Sequence, residues 1–274
     1  MKLQWLNSPN RWKDSFTVGF AILATIGTII EVSEISLESI YGNYSWIIKL
    51  ICVICLFFVI VVATFTIKYC YTKNGISLKI RGIKVNIKQG DIFKAKGWKV
   101  IAFNEFFDTT VDDIVIAHNT LNGNFIDNYV ESIEDLQKTI SIVEDNPKLK
   151  RYTRDDRFAY PLGRIITYKD YMLLAFTHFE NNEAHLTQKD YEDCLRVMWV
   201  EICRTYANKP IFIPLLGSSI TRFDGTPIKS NINLLRCMLC TLRTSGVNIN
   251  QAITILLTEE TIQDINIYEM KGEK

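Results

Sequence analysis

The sequence predicts an α/β protein in two parts: a three-layer α/β/α domain on a mostly buried mixed sheet, preceded by an N-terminal transmembrane helical hairpin. Three observations carry this reading. Apolar residues crowd between Phe16 and Tyr71, a density suited to lipid. From Ile76 onward, short apolar runs alternate with amphipathic stretches, as when helices cover a sheet. The formal net charge is +1 over 274 residues, which gives no basic field for nucleic acid, so none is expected as a partner.

The first apolar run, FTVGFAILATIGTII at 16–30, reaches ~22 Å as a helix and needs Val32 and Ile35 beyond Glu31 to lengthen it. It has no small-residue cleavage site after it, and a second run follows, which argues against a signal peptide. Ala21 with Thr25, or Ala24 with Thr28, offers small residues four apart for close helix contact. The second run, LICVICLFFVIVVATFTI at 50–67, carries no charge. It spans ~27 Å, close to the ~30 Å hydrocarbon core. Trp46, Tyr69 and Tyr71 sit as interfacial aromatics, and Lys49 and Lys68 can snorkel. Helices are expected at about 16–35 and 46–68 within a segment 1–74. The connection carries Glu31, Glu34 and Glu38, whereas Lys2, Arg11, Lys13, Lys68, Lys73, Lys79 and Arg81 flank the spans. That bias puts the acidic loop outside and both termini, with the domain 75–274, in the cytoplasm.

In the domain, ISLKI and GIKVNIKQGDI alternate like strands around Gly82. WKVIAFN at 98–104, IFIPLL at 211–216 and AITILLT at 252–258 read as buried strands, and RIITYKD with YMLLAFTHF as a hairpin. Thr187 and Asp190 signal a helix start. After them Tyr191, Cys194, Leu195, Met198, Ile202 and Tyr206 recur at helical spacing and are expected in the core. Residues 230–246 read as a second helix ending near Gly246, and 124–140 as a third. EDNPKLKRYTRDDR at 144–157 reads as a solvated charged loop. The pair Cys237 and Cys240 has zinc-like spacing but no second pair or histidine pair follows, so buried thiols are expected and no metal.

Three loops lie at expected strand ends. In QGDIF at 89–93, Asp91 can accept from an exocyclic amine, with the Ile92 amide beside it; a Gly-Asp turn is the plain alternative. In IAHNTLNGNFID at 116–127, Gly123 can bring backbone close to a ligand, and Asn124 can cap a helix whose amides face an anion. The third loop, Leu216, Gly217, Ser218, Ser219, Ile220 and Thr221, offers successive amides as an anion cradle, to which Arg222 adds charge. It lacks the nucleotide-triphosphate P-loop pattern, so it is a cradle if the loops converge and a tight turn otherwise.

QGDIF, then WKVIAFNEFFDT, TLNGNFID and IPLLGSSITRF, in that order, resemble the macro domain. With the hairpin in front, the chain resembles the macro-type ThsA effectors of the Thoeris antiphage system. The resemblance implies binding of an ADP-ribose derivative at the carboxyl ends of the sheet strands. Asp91 and Ile92 would then hold adenine, and Asn104 would approach the distal ribose. Leu121, Asn122, Gly123, Asn124 and Phe125 would clasp the diphosphate from one side, and the loop from Leu216 through Gly217 to Phe223 from the other. Phe223 would stack near a ribose or base; the plain alternatives are a strand cap for Asn104 and a core aromatic for Phe223.

The resemblance further implies a messenger made from NAD by a TIR-domain enzyme, homo-oligomerisation, and damage to the bacterial cell membrane that ends in abortive infection. Hydrolytic macro domains carry a run of glycines in the first phosphate loop, where this chain has only Gly123. His118 has no predicted carboxylate partner, and His178 and His185 make no better case for a general base. A sensor without catalytic residues or cofactor is expected. The alternatives are a membrane-anchored macro-domain ADP-ribosyl hydrolase and an anchored scaffold.

Overall fold

A computed structural model describes residues 8–33, 45–73, 75–144, 152–154, 157–218, 221–225 and 230–272. The chain divides into two compact units: the N-terminal helices with Asn266–Gly272, and the stretch Ser77–Ile265.

In the first unit, α1 spans Pro9–Val32 and α2 spans Trp46–Thr72. Both are long and apolar enough to cross a membrane. α1 begins well before the expected start, because its contact face opens on polar residues. Arg11, Ser15 and Gly19, four apart, are the buried positions. A Cβ on Gly19 would lie 2.9 Å from Val61 Cγ2, so glycine permits the helices' approach. Trp12 stacks on Phe65 at 4.2 Å between centroids. Ala21, Ala24, Thr25 and Thr28 are exposed instead, and both threonines bond back to the carbonyls of Ala21 and Ala24. The expected extension to Ile35 lies outside the described residues.

In the second unit, β1 (Gly75–Ile80) and β2 (Ile83–Gln89) join through Arg81 and Gly82. Their φ values of 47° and 92° form the left-handed pair that a two-residue hairpin requires. The further strands are β3 (Trp98–Asn104), β6 (Ile165–Tyr168), β7 (Tyr171–Glu180), β8 (Glu183–Thr187), β9 (Ile211–Pro214), β10 (Arg222–Asp224) and β11 (Ile253–Leu257). Among the described residues they form one sheet ordered β1-β2-β11-β9-β3-β7-β8-β10, with β6 also on β7. Neighbours from β2 through β11, β9 and β3 to β7 run parallel; β6–β7 and β7–β8 are antiparallel. The sheet is therefore mixed, and five strands present their carboxyl ends at one edge.

Side-chain alternation divides the faces. Ile101, Phe103, Leu173 and Ala175 pack with Phe125, Ile126, Leu136 and Ile140 of α3 (Leu121–Tyr129) and α4 (Ile133–Glu144). Phe176, on the opposite face, meets Tyr191 of α5 (Gln188–Thr205) edge to face at 5.9 Å. Trp199 of α5 donates to Thr241 of α6 (Asn231–Thr244) at 3.1 Å. Thr187 and Ser230 cap α5 and α6 through the amides of Asp190 and Asn233, and Gly246 follows α6 at φ +73°. A short α7 spans Glu259–Asp264.

Two expectations are corrected. The stretch 124–140 is not one helix: Val130 is extended, and Ser132 Oγ accepts from Asp135 N at 3.1 Å to start α4 afresh. The segment 144–157 is not all loop. β4 (Tyr152–Arg154) and β5 (Arg157–Ala159) form a separate ribbon, and Arg154 and Arg157 pair with Glu105, Glu180 and Asp108. The seven cysteines are unbridged. Burial pushes the Cys194 thiol well up and that of Cys237 to about 12, so neither is a thiolate at neutral pH.

Candidate functional site

At the carboxyl ends of β2, β11, β9 and β3 lies a cavity of about 700 Å³. Parallel sheets leave their ligand crevice on this edge. Asp91 and Ile92 after β2, Leu121, Asn122 and Asn124 of α3, and Leu216, Gly217 and Ser218 after β9 all line it. Asn104, Thr221 and Arg222 line it as well. Gly123, Phe125 and Phe223 are not among the lining residues, and Ser219 and Ile220 lie outside the described residues.

Each loop is fixed by its own chemistry. Asp91 Oδ1 accepts from Phe93 N at 3.0 Å, closing an Asx turn on the 3-10 stretch Ile92–Lys94. Phe93 then stacks flat on Tyr129, centroids 4.2 Å apart. In the second loop Thr120, not Asn124, is the cap: its Oγ1 accepts from Gly123 N at 3.0 Å. Asn124 sits inside the helix, and the Leu121 and Asn122 amides have no intrahelical acceptor. Gly123 serves packing, since a Cβ there would lie 2.3 Å from Ala117 O. Phe125 is buried against Tyr171 at 4.6 Å. Asn122 Oδ1 is buried and has no hydrogen-bond partner among the described residues.

In the third loop Gly217 has φ +83°, and a Cβ would sit 3.2 Å from Phe223 Cζ. Phe223 packs edge to face on Tyr191, whose hydroxyl reaches Leu216 O at 3.1 Å. Ser218 Oγ donates to Leu215 O at 2.7 Å, so the hydroxyl helps shape the turn. Arg222 pairs with Glu183. Apart from that pair, the charged side chains lining the cavity among the described residues are Asp91 and Asp113. An anion there would therefore rely on backbone amides more than on a free cation.

Asn104 is held at the end of β3. Its Oδ1 accepts from the Phe106 and Asp108 amides at 3.1 and 3.2 Å, and its Nδ2 donates to Asp108 Oδ2 at 2.8 Å. Next to it Glu105, fully buried, meets His178 Nδ1 at 2.9 Å and Arg154 Nη1 at 3.3 Å and accepts from Phe179 N. Sequence reasoning missed Glu105; its signal was a lone acid directly after a buried strand. It also missed Asp113, Thr177, Phe179 and Glu183 on the cavity wall, which come from a loop, the end of β7 and the short β8.

The histidines all have carboxylate partners, against expectation. His118 Nδ1 lies 2.6 Å from Asp127 Oδ2 in the second turn of α3. His178 meets Glu105, and His185 Nδ1 lies 3.1 Å from Asp224 Oδ1. The hydrogen bond that the protonated ring donates to Asp127 raises the pKa of His118 above the ordinary value, against a smaller desolvation effect. The raised folded value means that the pair stabilises the chain below the unfolded pKa and loses this as pH rises through the folded one. A proton-titration NMR experiment should place His118 above the ~6.5 of free histidine. Asp127→Asn should return it toward that value, and an unshifted His118 in the unmodified chain would contradict the geometry.

Residues 85–258 match the family described as Thoeris protein ThsA, Macro domain. A Thoeris protein ThsA from Bacillus amyloliquefaciens (strain Y2) is 39% identical over 210 residues, 72% of this chain and 70% of that protein. Among solved structures, a glycine-to-valine mutant of the Oceanobacillus iheyensis macrodomain with ADPR has TM-score 0.49 at 15% identity, covering 73% of this chain and 97% of that one. The same macrodomain with ADP has TM-score 0.45 at 14% identity, covering 73% and 95%.

Proposed function

The chain belongs to the Thoeris ThsA macro-domain family, and from that premise we propose that it is a membrane effector of bacterial antiphage defence gated by an ADP-ribose-derived nucleotide. The observation that carries the ligand class is the orphaned Asn122 Oδ1 on the cavity wall, beside the two open amides of α3. A buried amide without a partner is costly. A hydroxyl-rich, doubly anionic ligand would satisfy both groups at once. Asp91 and Ile92 would hold the base, and the α3 and Gly217 loops the diphosphate. Asn104 would hold the distal ribose edge through its fixed loop.

The role proposed is sensing, with no catalytic step. The nucleotide would come from a TIR-domain enzyme acting on NAD. Its binding would favour a homo-oligomer, because a ligand shifts an equilibrium only by its differential affinity for the two states. Clustered hairpins, spanning the cell membrane with both termini and the macro domain cytoplasmic, would break the bilayer and end in abortive infection. The support for the anchor is the length and apolarity of α1 and α2 and exposed side chains such as Phe20, Ile29, Ile51 and Val59.

Calorimetry of the full chain in detergent should show one ADP-ribose site per chain. Asn122→Leu keeps the branching at Cγ but removes the amide, and should weaken binding by about 10-fold or more, ~1.4 kcal/mol. Absence of any heat with the unmodified chain would overturn the reading. Release of ADP-ribose from a modified protein would replace sensing with hydrolysis.

A further inference from the structure

The last described residues, Asn266–Gly272, group with the N-terminal helices and not with the stretch that precedes them. They form a short 3-10 segment in which Ile267, Tyr268 and Met270 are 4%, 3% and 0% exposed. Their polar groups are spent on the start of α1. Glu269 accepts from Ser8 Oγ at 2.6 Å and from Asn10 Nδ2. α1 has no acid in its first turn and no side-chain cap, so Glu269 supplies the negative charge that a helix N-terminus favours. Tyr268 OH donates to Asp14 Oδ2 at 2.6 Å. The buried Arg11 guanidinium lies 4.9 Å from the Tyr268 ring, 5.2 Å from Phe65 and 5.4 Å from Tyr69, and donates to Asn266 Oδ1 at 3.3 Å. A buried cation is costly without partners, and two of these partners come from the far end of the chain.

We propose that Asn266–Met270 is a coupling latch: a second attachment, beside the 73–77 connection, through which the nucleotide-binding unit acts on the hairpin. A single linker lets two bodies rotate independently, whereas attachment at both ends of a domain lets a change inside it pull on the helices. The inference that the latch carries the nucleotide signal rests on the reading above; its role as an anchor for α1 does not.

The test uses the full chain with Tyr268→Phe and Glu269→Gln combined, changes that remove two hydrogen bonds and one charge with little loss of volume. Hydrogen exchange without nucleotide should show the amides of Arg11–Ser15 at least 10-fold less protected than in the unmodified chain, with the sheet unchanged. Equal protection would overturn the latch whether or not the chain binds ADP-ribose. In phosphatidylethanolamine–phosphatidylglycerol vesicles, ADP-ribose should release trapped dye from the unmodified chain. The double variant should bind ADP-ribose within about twofold of it and release at least 10-fold less. Equal release by both, or release by the variant without nucleotide, would overturn the coupling role. Failure of the unmodified chain to bind ADP-ribose would instead count against the proposed function.

Discussion

Gly217→Asp is expected to abolish nucleotide binding, with affinity falling at least ~100-fold, about 2.7 kcal/mol. Two effects act together. The backbone at 217 has φ +83°, where a Cβ is strained, and that Cβ would sit 3.2 Å from Phe223 and 3.3 Å from Leu234. The new carboxylate would also stand where the open amides are proposed to meet a diphosphate, so like charges would face each other at short range. Calorimetry with ADP-ribose on the full chain measures the loss, and thermal melting separates it from unfolding. Gly217→Ala carries the strain without the charge and should lose less affinity. If Gly217→Asp bound as tightly as the unmodified chain, the third loop would have no part in the site.

Glu105→Ala should give the largest loss of stability among changes near the cavity, about 3–5 kcal/mol, seen as a fall in Tm of roughly 10 °C. The carboxylate is fully buried and holds His178, Arg154 and the Phe179 amide. Its own backbone links Thr177 O and Tyr160 N at 2.8 Å each. Removing it takes the acceptor from the half-buried His178 and the Phe179 amide, leaves Arg154 with Glu180 alone of its two carboxylates, and loosens the turn that fixes Asn104. Glu105→Gln keeps an acceptor and should lose less than half as much. A loss below about 1 kcal/mol for the alanine variant would show that water replaces the carboxylate.

The regular strands and capped helices were legible because their signals are local. WKVIAFN occupies β3 from Trp98 to Asn104, since seven residues of near-continuous apolar character suit a strand covered on both faces. The Thr187 cap and the helical spacing of Tyr191, Leu195, Met198 and Ile202 likewise mark α5 without tertiary information. The break between α3 and α4 was missed because the hydrophobic period runs on through Val130 and Ile133. Only the weak cap formed by Ser132 and Asp135 marks the restart. β8 and β10 are short and carry Glu183, His185, Arg222 and Asp224, whose charges hide the alternation.

At the cavity, the sequence exposed the loops that interrupt buried strands, but not how each is held. Gly123 looked like a residue for close ligand approach, yet its lack of a side chain is required by Ala117 O. Phe125 and Phe223 looked available and are spent on Tyr171 and Tyr191. The pairing of Arg222 with Glu183, and of each histidine with a carboxylate, joins residues tens of positions apart or on different elements. No periodicity encodes such pairs. The burial of Arg11 at the start of α1 is of the same kind, because half of its surroundings come from the other end of the chain.

If three loops distant in sequence grip one nucleotide together, hydrogen exchange of the full chain with and without ADP-ribose will register all three. Slowed exchange is expected at once in Ile92–Phe93, Leu121–Asn122 and Gly217–Ser218, with the outer face of α6 unchanged. Slowing in one of these loops alone, or in none at saturating ADP-ribose, would contradict the shared grip.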